Sequence, residues 1–476
     1  MSPLRLAVPL TVAALAAASL LLPFAPLYDV WAWLVWGHEI TGLDLDTGAG
    51  PSWKPLPVVF TTAFAPTGDA APELWLVVAR MGWLASIALA WRLGSRLVLG
   101  GGLRIRLAGA LAPDRVSRAR IAAGAIAALG MVLLHDAFTS WIRQFAGGLS
   151  EPLLVALVLG AVDRHLSGRR DQAFALAVAA ALLRPESWPF LIVYGWWLGT
   201  RSPQLRRVVV GGAVTVIVLW FGVDLLGSGS PFTGVERAQE GTGWPPHEAL
   251  EAIGRAFDMV LAGLWVAAGY AVWTARQRGE REIVVLAAGA LAWIAVVAVL
   301  AAAGYAGIPR FAAPAAAIGC VLGAVGVVRL AARLGGMKGI DRRRPALVAA
   351  CAALAVALIG QGAIRATDIP GDLRGAADFG DGVEDLFGVV DEVGEARVAA
   401  CPPTTTSDFL TETALAWKVE VGLGGVERRV ASAPESGISY LDSDAPVAAR
   451  RAVLAAGKPL ARRGRWTAYE VSCANN

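Results

Sequence analysis

Apolar runs of about 20 residues recur along this chain, and they constrain its fold more than any other feature. A bilayer core is about 30 Å thick and an α-helix rises about 1.5 Å per residue, so such a run is long enough to cross a membrane. Only 17% of the residues are charged and 56% are hydrophobic, whereas soluble domains carry roughly 25% charged residues. The pattern predicts a polytopic α-helical membrane protein with spans near 5–27, 72–98, 119–138, 148–162, 206–226, 254–274, 282–304, 310–333 and 345–364.

Residues 172–199 depart from this pattern, because Arg184-Pro185-Glu186 separates two shorter apolar stretches. Each stretch has about a dozen residues, which is too few to cross a bilayer of ordinary thickness. We therefore predict a helical hairpin whose polar tip stays within the protein, below the outer surface. With the hairpin counted as two crossings, the chain has about eleven.

Basic residues collect in the short segments between the apolar runs and indicate the orientation. A cytoplasmic position for all five clusters is consistent with a cytoplasmic N-terminus and an extracytoplasmic C-terminus. Because the basic residues form no continuous stripe, the net charge of +4 does not indicate nucleic acid as a partner. The clusters lie at 104–120, 164–170, 201–207, 276–281 and 333–344.

A cleaved secretory signal is an alternative for residues 1–27, since the stretch AALAAAS resembles a cleavage region. Against it, the apolar run continues to Pro26 and is long enough to span the membrane.

Residues 366–476 return to the composition of a soluble protein. We interpret 1–365 as the membrane-embedded catalytic domain and 366–476 as a small extracytoplasmic α/β domain. In the latter, 396–401 and 466–473 are expected to be strands and 407–422 a capped helix. If this domain lies outside the cytoplasm, the compartment permits a disulfide between Cys401 and Cys473, and the sequence alone leaves open whether the two are bonded.

The predicted topology brings carboxylates, basic residues and tryptophans to one outer face, where the segment PLYDVWAWLVWGHEI (26–40) follows the first span. This segment is expected to form a helix lying in the membrane interface. Ionisable groups at membrane depth are costly and usually functional. The candidates are Asp29 as a catalytic residue, and Trp31, Lys54, His135, Asp136, Glu151, Arg184, Glu186 and Arg310 as substrate-binding residues.

This combination suits a substrate that has a phosphate, a polyol and a lipid tail. Arginine binds phosphate through a bidentate fork, and a carboxylate removes the proton of a hydroxyl nucleophile. Aromatic rings stack on sugars or lie at the level of the lipid headgroups.

The chain resembles the GT-C superfamily of integral-membrane glycosyltransferases, which use polyprenyl-phosphate-linked sugars on the non-cytoplasmic side. The resemblance rests on Asp29 after the first span, on GGLSEPLLVALVLGAV (147–162) and on LLRPESWPFLIVYGWW (182–197), and it covers most of residues 1–365. WKPLPVVF (53–60) is similar to actinobacterial-type members. The resemblance implies a GT-C-like membrane domain with a small outer domain.

The resemblance also implies roles for individual residues. Asp29 matches the first-loop acid that acts as general base in an inverting displacement, whereas Glu151, Arg184 and Glu186 match positions near the lipid phosphate and sugar. Many members have a second acid directly after the first, but here Val30 and Trp31 follow Asp29. This departure argues against a metal at Asp29. No metal ligand is assigned, no cofactor is certain, and a divalent cation, Mg²⁺ or Mn²⁺, stays an open alternative.

The mechanism expected from these residues has three parts. Asp29 accepts the proton of an acceptor hydroxyl as it attacks the anomeric carbon. Lys54, Arg184 and Arg310 stabilise the departing polyprenyl phosphate. His135 or Asp136 orients the base or the sugar.

Each candidate also has a structural alternative. Asp29 caps a helix beginning near Val30, Arg184 and Glu186 pair with each other, and Arg310 extends outward as an interface anchor. The further alternatives are a buried hydrogen bond for His135, a plain surface position for Lys54 and an interfacial belt for the tryptophans of the first outer loop.

The leading functional interpretation is a glycosyltransferase in the cell membrane. Its partners are a polyprenyl-phosphate sugar donor, an envelope glycan, lipid or protein acceptor, and membrane lipids. The alternatives are a transporter or flippase for a lipid-linked glycan and a non-catalytic scaffold for envelope assembly. No inverted repeat of the kind common in transporters is evident in the sequence.

Overall fold

The computed structural model describes residues 3–99, 113–135, 140–239, 249–335, 345–429, 432 and 434–473. Its helices are α1 (Pro3–Ala18), α2 (Tyr28–Gly42), α3 (Pro55–Phe64), α4 (Ala71–Leu97), α5 (Pro113–Val132), α6 (Trp141–Ala146), α7 (Glu151–Leu166), α8 (Arg170–Ala181), α9 (Trp188–Arg201), α10 (Arg206–Ile217), α11 (Val223–Ser228), α12 (Thr233–Gln239), α13 (Ala249–Asp258), α14 (Ala262–Arg278), α15 (Arg281–Ala302), α16 (Ala313–Gly335), α17 (Pro345–Val393), α18 (Glu395–Ala400), α19 (Glu412–Lys418) and α20 (Val447–Ala456). Its strands are β1 (Thr404–Thr406), β2 (Val426–Arg428), β3 (Gly437–Asp442), β4 (Gly457–Arg463) and β5 (Trp466–Val471).

The protein is a multi-pass membrane protein. Within the described ranges, five helical stretches are long and apolar enough to cross a bilayer, and α13 with α14, bent by 92°, make a sixth if they form one span. The other helices at expected spans are shorter or more charged, as in α1, α5 and α7. The five stretches are Pro55–Leu97, Pro203–Ser228, Arg281–Ala302, Pro309–Leu334 and Val348–Val393.

Small residues allow the central helices to pack closely. Helix α16 packs along α14, and α4 packs against α5 and α7. A Cβ atom at Gly323 of α16 would lie 2.7 Å from the carbonyl oxygen of Leu264 in α14. A glycine is therefore needed where the two backbones meet, as is usual between membrane helices.

The interrupted region forms the predicted hairpin. Helices α8 and α9 have 12 and 14 residues, and a 3-10 turn, Pro185–Ser187, lies between them. Arg184 and Glu186 at the tip are 5% and 4% exposed. The prediction that the polar tip stays within the protein is confirmed.

The last long helix joins the membrane part to the outer sheet. Helix α17 has 49 residues, and the most apolar part of it buries no side chains in the protein. The expected boundary between 365 and 366 falls inside this helix, and the chain leaves it only at Gly394, which has a φ of +85°.

The C-terminal segment forms a five-stranded mixed sheet in the order β2-β1-β3-β5-β4. Strand β1 is parallel to β2 and β3, whereas β5 is antiparallel to β3 and β4. The expected strand at 466–473 is confirmed as β5, and the helix expected within 407–422 is confirmed as α19. Asp408 accepts a hydrogen bond from the Leu410 N–H just before α19.

The strand predicted at 396–401 was wrong, because these residues form α18. Three of the six residues from 395 to 400 are alanines and none is aromatic, so helix propensity prevails over the short apolar run. A disulfide between Cys401 and Cys473 is present, with Cα atoms 5.6 Å apart. It joins the end of α18 to the end of the sheet.

The tryptophans of α2 do not lie in the membrane interface. Trp31, Trp33 and Trp36 are at most 2% exposed. They belong to a core that also contains Leu386 of α17 and Trp466 of β5. The interfacial belt was therefore a wrong prediction, because the C-terminal domain packs on α2 and supplies the apolar surroundings that the bilayer was expected to supply.

Candidate active site

Asp29 lies in the first turn of α2 and forms an ion pair. The helix begins at Tyr28, its N-cap residue is Leu27, and no side chain caps it. The alternative in which Asp29 is an N-cap is therefore not observed. Its Oδ2 instead accepts a hydrogen bond from Lys54 Nζ at 2.8 Å. A carboxylate and an ammonium group 25 residues apart in sequence thus meet at the end of the first outer segment.

Lys54 is held by hydrogen bonds of Trp53 and Leu56, which lie on either side of it in sequence. The indole N–H of Trp53 donates to the carbonyl of Leu219 at 2.9 Å, and the N–H of Leu56 donates to the carbonyl of Leu182 at 3.1 Å. Lys54 itself is 8% exposed. The plain surface position considered for Lys54 is wrong, because Trp53 is fixed to the π-helical turn Val218–Gly222 and Leu56 is fixed to the hairpin.

Arg184 joins the two buried glutamates. Its Nη1 donates to Glu151 Oε1 at 3.2 Å, and its Nη2 donates to Glu186 Oε1 at 2.7 Å. The guanidinium carbon lies 3.5 Å from the centroid of the Phe311 ring. The pairing of Arg184 with Glu186 is therefore real, but it is part of a larger network that includes Glu151.

Arg310 completes this network from the turn before α16. Its Nη2 lies 3.9 Å from Asp29 Oδ2, and its Nε lies 3.6 Å from Glu151 Oε1. Both separations exceed a hydrogen bond, and the Nε has no hydrogen-bond acceptor in the described part of the chain. The outward anchor was a wrong prediction for Arg310, because its side chain points to the acidic residues of the site.

The cations keep Asp29 ionised. Burial by itself would raise the pKa of the Asp29 carboxyl, but Lys54 and Arg310 more than offset this and lower the pKa to about 2. Asp29 is therefore a carboxylate at neutral pH, and it is a weak base as long as both cations remain beside it.

These groups face a cavity of about 1320 Å³, which we call the central cavity. Asp29, Lys54, Arg184, Glu186 and Arg310 line it. An apolar wall comes from α9, the π-helical turn and α15, and it includes Trp188, Ile192, Trp220, Phe221, Val296 and Leu300. The C-terminal domain supplies another wall, with Phe409, Leu410, Glu412, Leu423 and Arg428. Polar groups and apolar surface thus share one space, as ligand sites usually require.

Four of the predicted residues are not among the described residues that line the central cavity. Trp31 packs in the core, where its indole N–H donates to the Pro26 carbonyl at 2.9 Å. His135 uses its backbone N–H to bond the Met259 carbonyl at 3.2 Å, and its side chain is half-buried away from the cavity lining. Asp136 lies outside the residues that the structure describes. Glu151 is not part of the lining itself but contacts it through Arg184 and Arg310.

Other residues of the cavity were not predicted. Arg143 pairs with Asp372 of α17 at 2.8 Å, and Arg237 donates to the Gly48 carbonyl. Both could have been proposed from the sequence, because each is a basic residue in a predicted outer segment. No sequence pattern indicated Phe409, Glu412 and Arg428, since only the packing of the C-terminal domain brings them to the cavity.

The residues present do not fit a divalent cation. Within the described ranges, no three or more His, Cys, Asp or Glu side chains are grouped so as to hold a metal ion. Asp29 and Glu151 are already engaged by Lys54, Arg184 and Arg310, which a cation would have to displace. We therefore derive no step through Mg²⁺ or Mn²⁺.

Comparison with known proteins relates this architecture to two solved structures. No protein-family model and no curated protein matches the sequence. The crystal structure of ArnT from Cupriavidus metallidurans bound to undecaprenyl phosphate is similar over 100% of both chains, with a TM-score of 0.57 and 13% identity. The apo structure of the same ArnT is similar over 99% of this chain and 98% of that one, with a TM-score of 0.53 and 14% identity. The chain has an ArnT-like GT-C fold, so the resemblance noted in the sequence is confirmed at the level of the fold.

Proposed function

We propose that the protein is a GT-C glycosyltransferase that transfers a sugar from a polyprenyl-phosphate donor to an acceptor hydroxyl at the outer face of the membrane. The observation that carries this proposal is the pairing of Asp29 with Lys54 and Arg310 at one cavity. That cavity combines a carboxylate, basic residues and an apolar wall. A donor with a sugar, a phosphate and a lipid tail requires these three surfaces together.

Arg310 is the group best suited to bind the donor phosphate. Its Nε has no acceptor among the described residues, and its contacts with Asp29 and Glu151 are long. Arg184, in contrast, is engaged by two glutamates and stacked on Phe311. The phosphate therefore binds to Arg310 and Lys54, and Arg184 fixes the carboxylates around them.

Binding of the phosphate also activates the base. A phosphate that binds Lys54 and Arg310 neutralises the two cations that lower the pKa of Asp29. The pKa of Asp29 then rises, and its carboxylate becomes a better base. Asp29 then accepts the proton of the acceptor hydroxyl. The acceptor oxygen bonds to the anomeric carbon as the carbon–oxygen bond to the phosphate breaks, and the polyprenyl phosphate leaves with the electron pair.

The ArnT structure bound to undecaprenyl phosphate supports a polyprenyl phosphate as the lipid. The stereochemistry that follows from a single displacement is inversion at the anomeric carbon. The acceptor belongs to the cell envelope and is a glycan, a lipid or a protein.

The test is sugar transfer or donor hydrolysis by the purified protein in lipid nanodiscs, with a panel of polyprenyl-phosphate sugars. Asp29→Asn is expected to lower turnover at least about 100-fold, the usual size of a general-base contribution, with retained binding of polyprenyl phosphate. Asp69→Asn, at an exposed position of the same outer segment, is the matched control.

Turnover of Asp29→Asn at the wild-type rate, in a protein with a wild-type melting curve, would exclude Asp29 as the base. Binding of the lipid without turnover in either protein would favour a flippase or a non-catalytic scaffold.

A further inference from the structure

The wall that the C-terminal domain contributes to the central cavity contains two charged side chains, one acidic and one basic. Glu412 is the first residue of α19, and Arg428 is the last residue of β2. Both line the cavity. Within the part of the chain that the structure describes, neither the Glu412 carboxylate nor the Arg428 guanidinium forms a hydrogen bond or an ion pair with a side chain. Their hydrogen-bonding capacity is available to a ligand.

This wall is joined directly to the residue that precedes the proposed base. The rings of Tyr28 and Phe409 stack with centroids 4.3 Å apart. The Thr413 hydroxyl donates to the Tyr28 carbonyl at 2.8 Å. The Arg428 guanidinium lies 5.2 Å from the centroid of the Phe409 ring. The two charged groups therefore flank an aromatic pair one residue away from Asp29.

The chemistry of the displacement separates this wall from the phosphate site. In a single displacement the acceptor oxygen and the leaving phosphate lie on opposite sides of the anomeric carbon. The basic groups in contact with the Asp29 carboxylate, Lys54 and Arg310, belong to the phosphate. Among the described residues, Glu412 and Arg428 form no hydrogen bond or ion pair with Asp29, Lys54 or Arg310, so the groups assigned to the phosphate leave both side chains available to the acceptor.

We propose that Tyr28, Phe409, Glu412 and Arg428 form an acceptor subsite and that the acceptor is a saccharide; this assignment rests on the proposed function. A carboxylate accepts hydrogen bonds from neighbouring ring hydroxyls, and a guanidinium donates to hydroxyl oxygens. Tyr28 and Phe409, which both line the cavity, add aromatic surface beside these two charged groups. Burial raises the pKa of Glu412 although Arg428 lowers it, and hydrogen bonds from sugar hydroxyls would stabilise the carboxylate further.

The experiment uses the full-length protein in nanodiscs with a donor that the wild type hydrolyses. The acceptor probes are octyl glycosides of arabinofuranose, mannose, glucose and galactose, and a Ser/Thr-containing peptide. Glu412→Gln and Arg428→Gln are expected to lower the ratio of transfer to donor hydrolysis at least tenfold for the saccharide that the wild type uses. The loss is expected in the KM for the acceptor rather than in the KM for the donor.

Matched controls come from the same two elements of the domain. Glu420→Gln changes a carboxylate just after α19, and Arg429→Gln changes an arginine that pairs with Glu427. Neither residue lines the central cavity. Both controls are expected to keep the wild-type ratio and the wild-type KM for the acceptor.

Wild-type ratios in Glu412→Gln and Arg428→Gln would overturn the subsite, and transfer to the peptide alone would overturn the saccharide. If the wild type hydrolyses the donor but transfers its sugar to no probe, photolabelling with a diazirine octyl glycoside shows where a saccharide binds. Labelling of residues 409–428 that Glu412→Gln abolishes supports the subsite, whereas labelling elsewhere overturns it. Failure of the proposed function is different, since the wild type then neither hydrolyses any donor nor transfers its sugar.

Discussion

At the scale of single residues, the proposed mechanism uses the ion pair of Asp29 and Lys54 to connect donor binding to the strength of the base. Lys54 Nζ lies 2.8 Å from the carboxylate and lowers its pKa. A donor phosphate competes for the same ammonium group. Without donor the base is therefore weak, and it strengthens only when the donor phosphate binds the cations beside it.

Lys54→Gln removes both the phosphate contact and the nearest cation to Asp29. Transfer at pH 7 is expected to fall about 100-fold, because one positioned donor is worth about that much. Since burial then acts with less opposition, the pKa of Asp29 rises above its value of about 2. The acid limb of the pH profile of kcat/KM, which reports the free enzyme, is expected to move to higher pH.

Lys418→Gln is the control for this change, because Lys418 pairs with Asp391 outside the cavity. It is expected to leave the acid limb in place. An unmoved acid limb in Lys54→Gln would contradict the coupling between Lys54 and Asp29.

The pair of Asp29 and Lys54 also contributes to stability. The pKa of Asp29 is below its unfolded value of 3.8, so the stabilisation is present above pH 4 and is lost as the pH falls towards about 2.

Glu39 predicts a second pH dependence with the opposite sign. Its Oε2 accepts a hydrogen bond from the Asp46 N–H at 3.0 Å, and burial, with Asp46 and Asp44, raises its pKa from 4.5 to about 7. Because the folded protein then binds more protons than the unfolded chain, the free energy of unfolding decreases as the pH rises from 4.5 through 7.

Glu39→Gln retains a carbonyl acceptor but does not titrate. The melting temperature of the wild type is therefore expected to fall relative to this variant between pH 5 and pH 8. Glu73→Gln, at an exposed position of α4, should show no such change. An equal difference between wild type and Glu39→Gln at both pH values would exclude Glu39 as the titrating group.

The sequence indicated which residue types form the site but not how they pair. Asp29, Arg184 and Arg310 were expected to face the outside because of the predicted topology, and they meet at one cavity. That Lys54 pairs with Asp29, or that Glu151 lies behind the cavity wall, depends on the crossing of helices far apart in sequence. Residue spacing does not contain this information.

At the scale of the elements, the π-helical turn Val218–Gly222 positions the segment before α3. Turns of this kind are rare and frequent at functional sites. Here the Leu219 carbonyl receives the indole N–H of Trp53 at 2.9 Å. Trp220 of the same turn donates to the Ala181 carbonyl at the hairpin, also at 2.9 Å. The turn therefore connects Lys54 to the hairpin that contains Arg184.

Trp53→Phe keeps a large ring but removes the N–H that anchors it. Lys54 is then less well fixed beside Asp29, so kcat is expected to fall about tenfold and the acid limb to move in the same direction as in Lys54→Gln. The measurement is the pH profile of transfer.

Trp83→Phe is the matched control, because its indole N–H also bonds a backbone carbonyl, that of Trp141, but outside the cavity. A lower melting temperature with an unchanged pH profile in Trp53→Phe would show a role in stability alone.

Elements whose pattern is set locally were predictable, and those set by tertiary packing were not. The broken hairpin at 172–199 was evident because Arg184-Pro185-Glu186 interrupts an apolar run. The burial of Trp31, Trp33 and Trp36 was not, since the same residues suit a membrane interface. What decides between the two is the sheet domain, which lies more than 350 residues further along the chain.

At the scale of the whole molecule, the C-terminal domain and the membrane part share one core. Residues of α2, α17 and the sheet pack together there. Leu386→Ala, at a position with no exposure, is expected to lower the free energy of unfolding by about 2–5 kcal/mol. Thermal unfolding followed by tryptophan fluorescence measures this change.

Leu454→Ala, at a position 54% exposed on α20, is the matched control and should unfold like the wild type. If Leu386→Ala unfolds in two separate transitions, with the membrane part unaffected, the C-terminal domain and the membrane part do not share one core.

The continuity of α17 has a consequence for how sequences with this architecture can vary. An α-helix turns about 100° and rises about 1.5 Å with each residue, so the 49 residues of α17 fix both the height and the azimuth of the sheet above the bilayer. One inserted residue would turn Glu412 and Arg428 away from Asp29 by more than a quarter of a circle. Evolution is thus free to exchange the exposed side chains of this helix, but not to change its length.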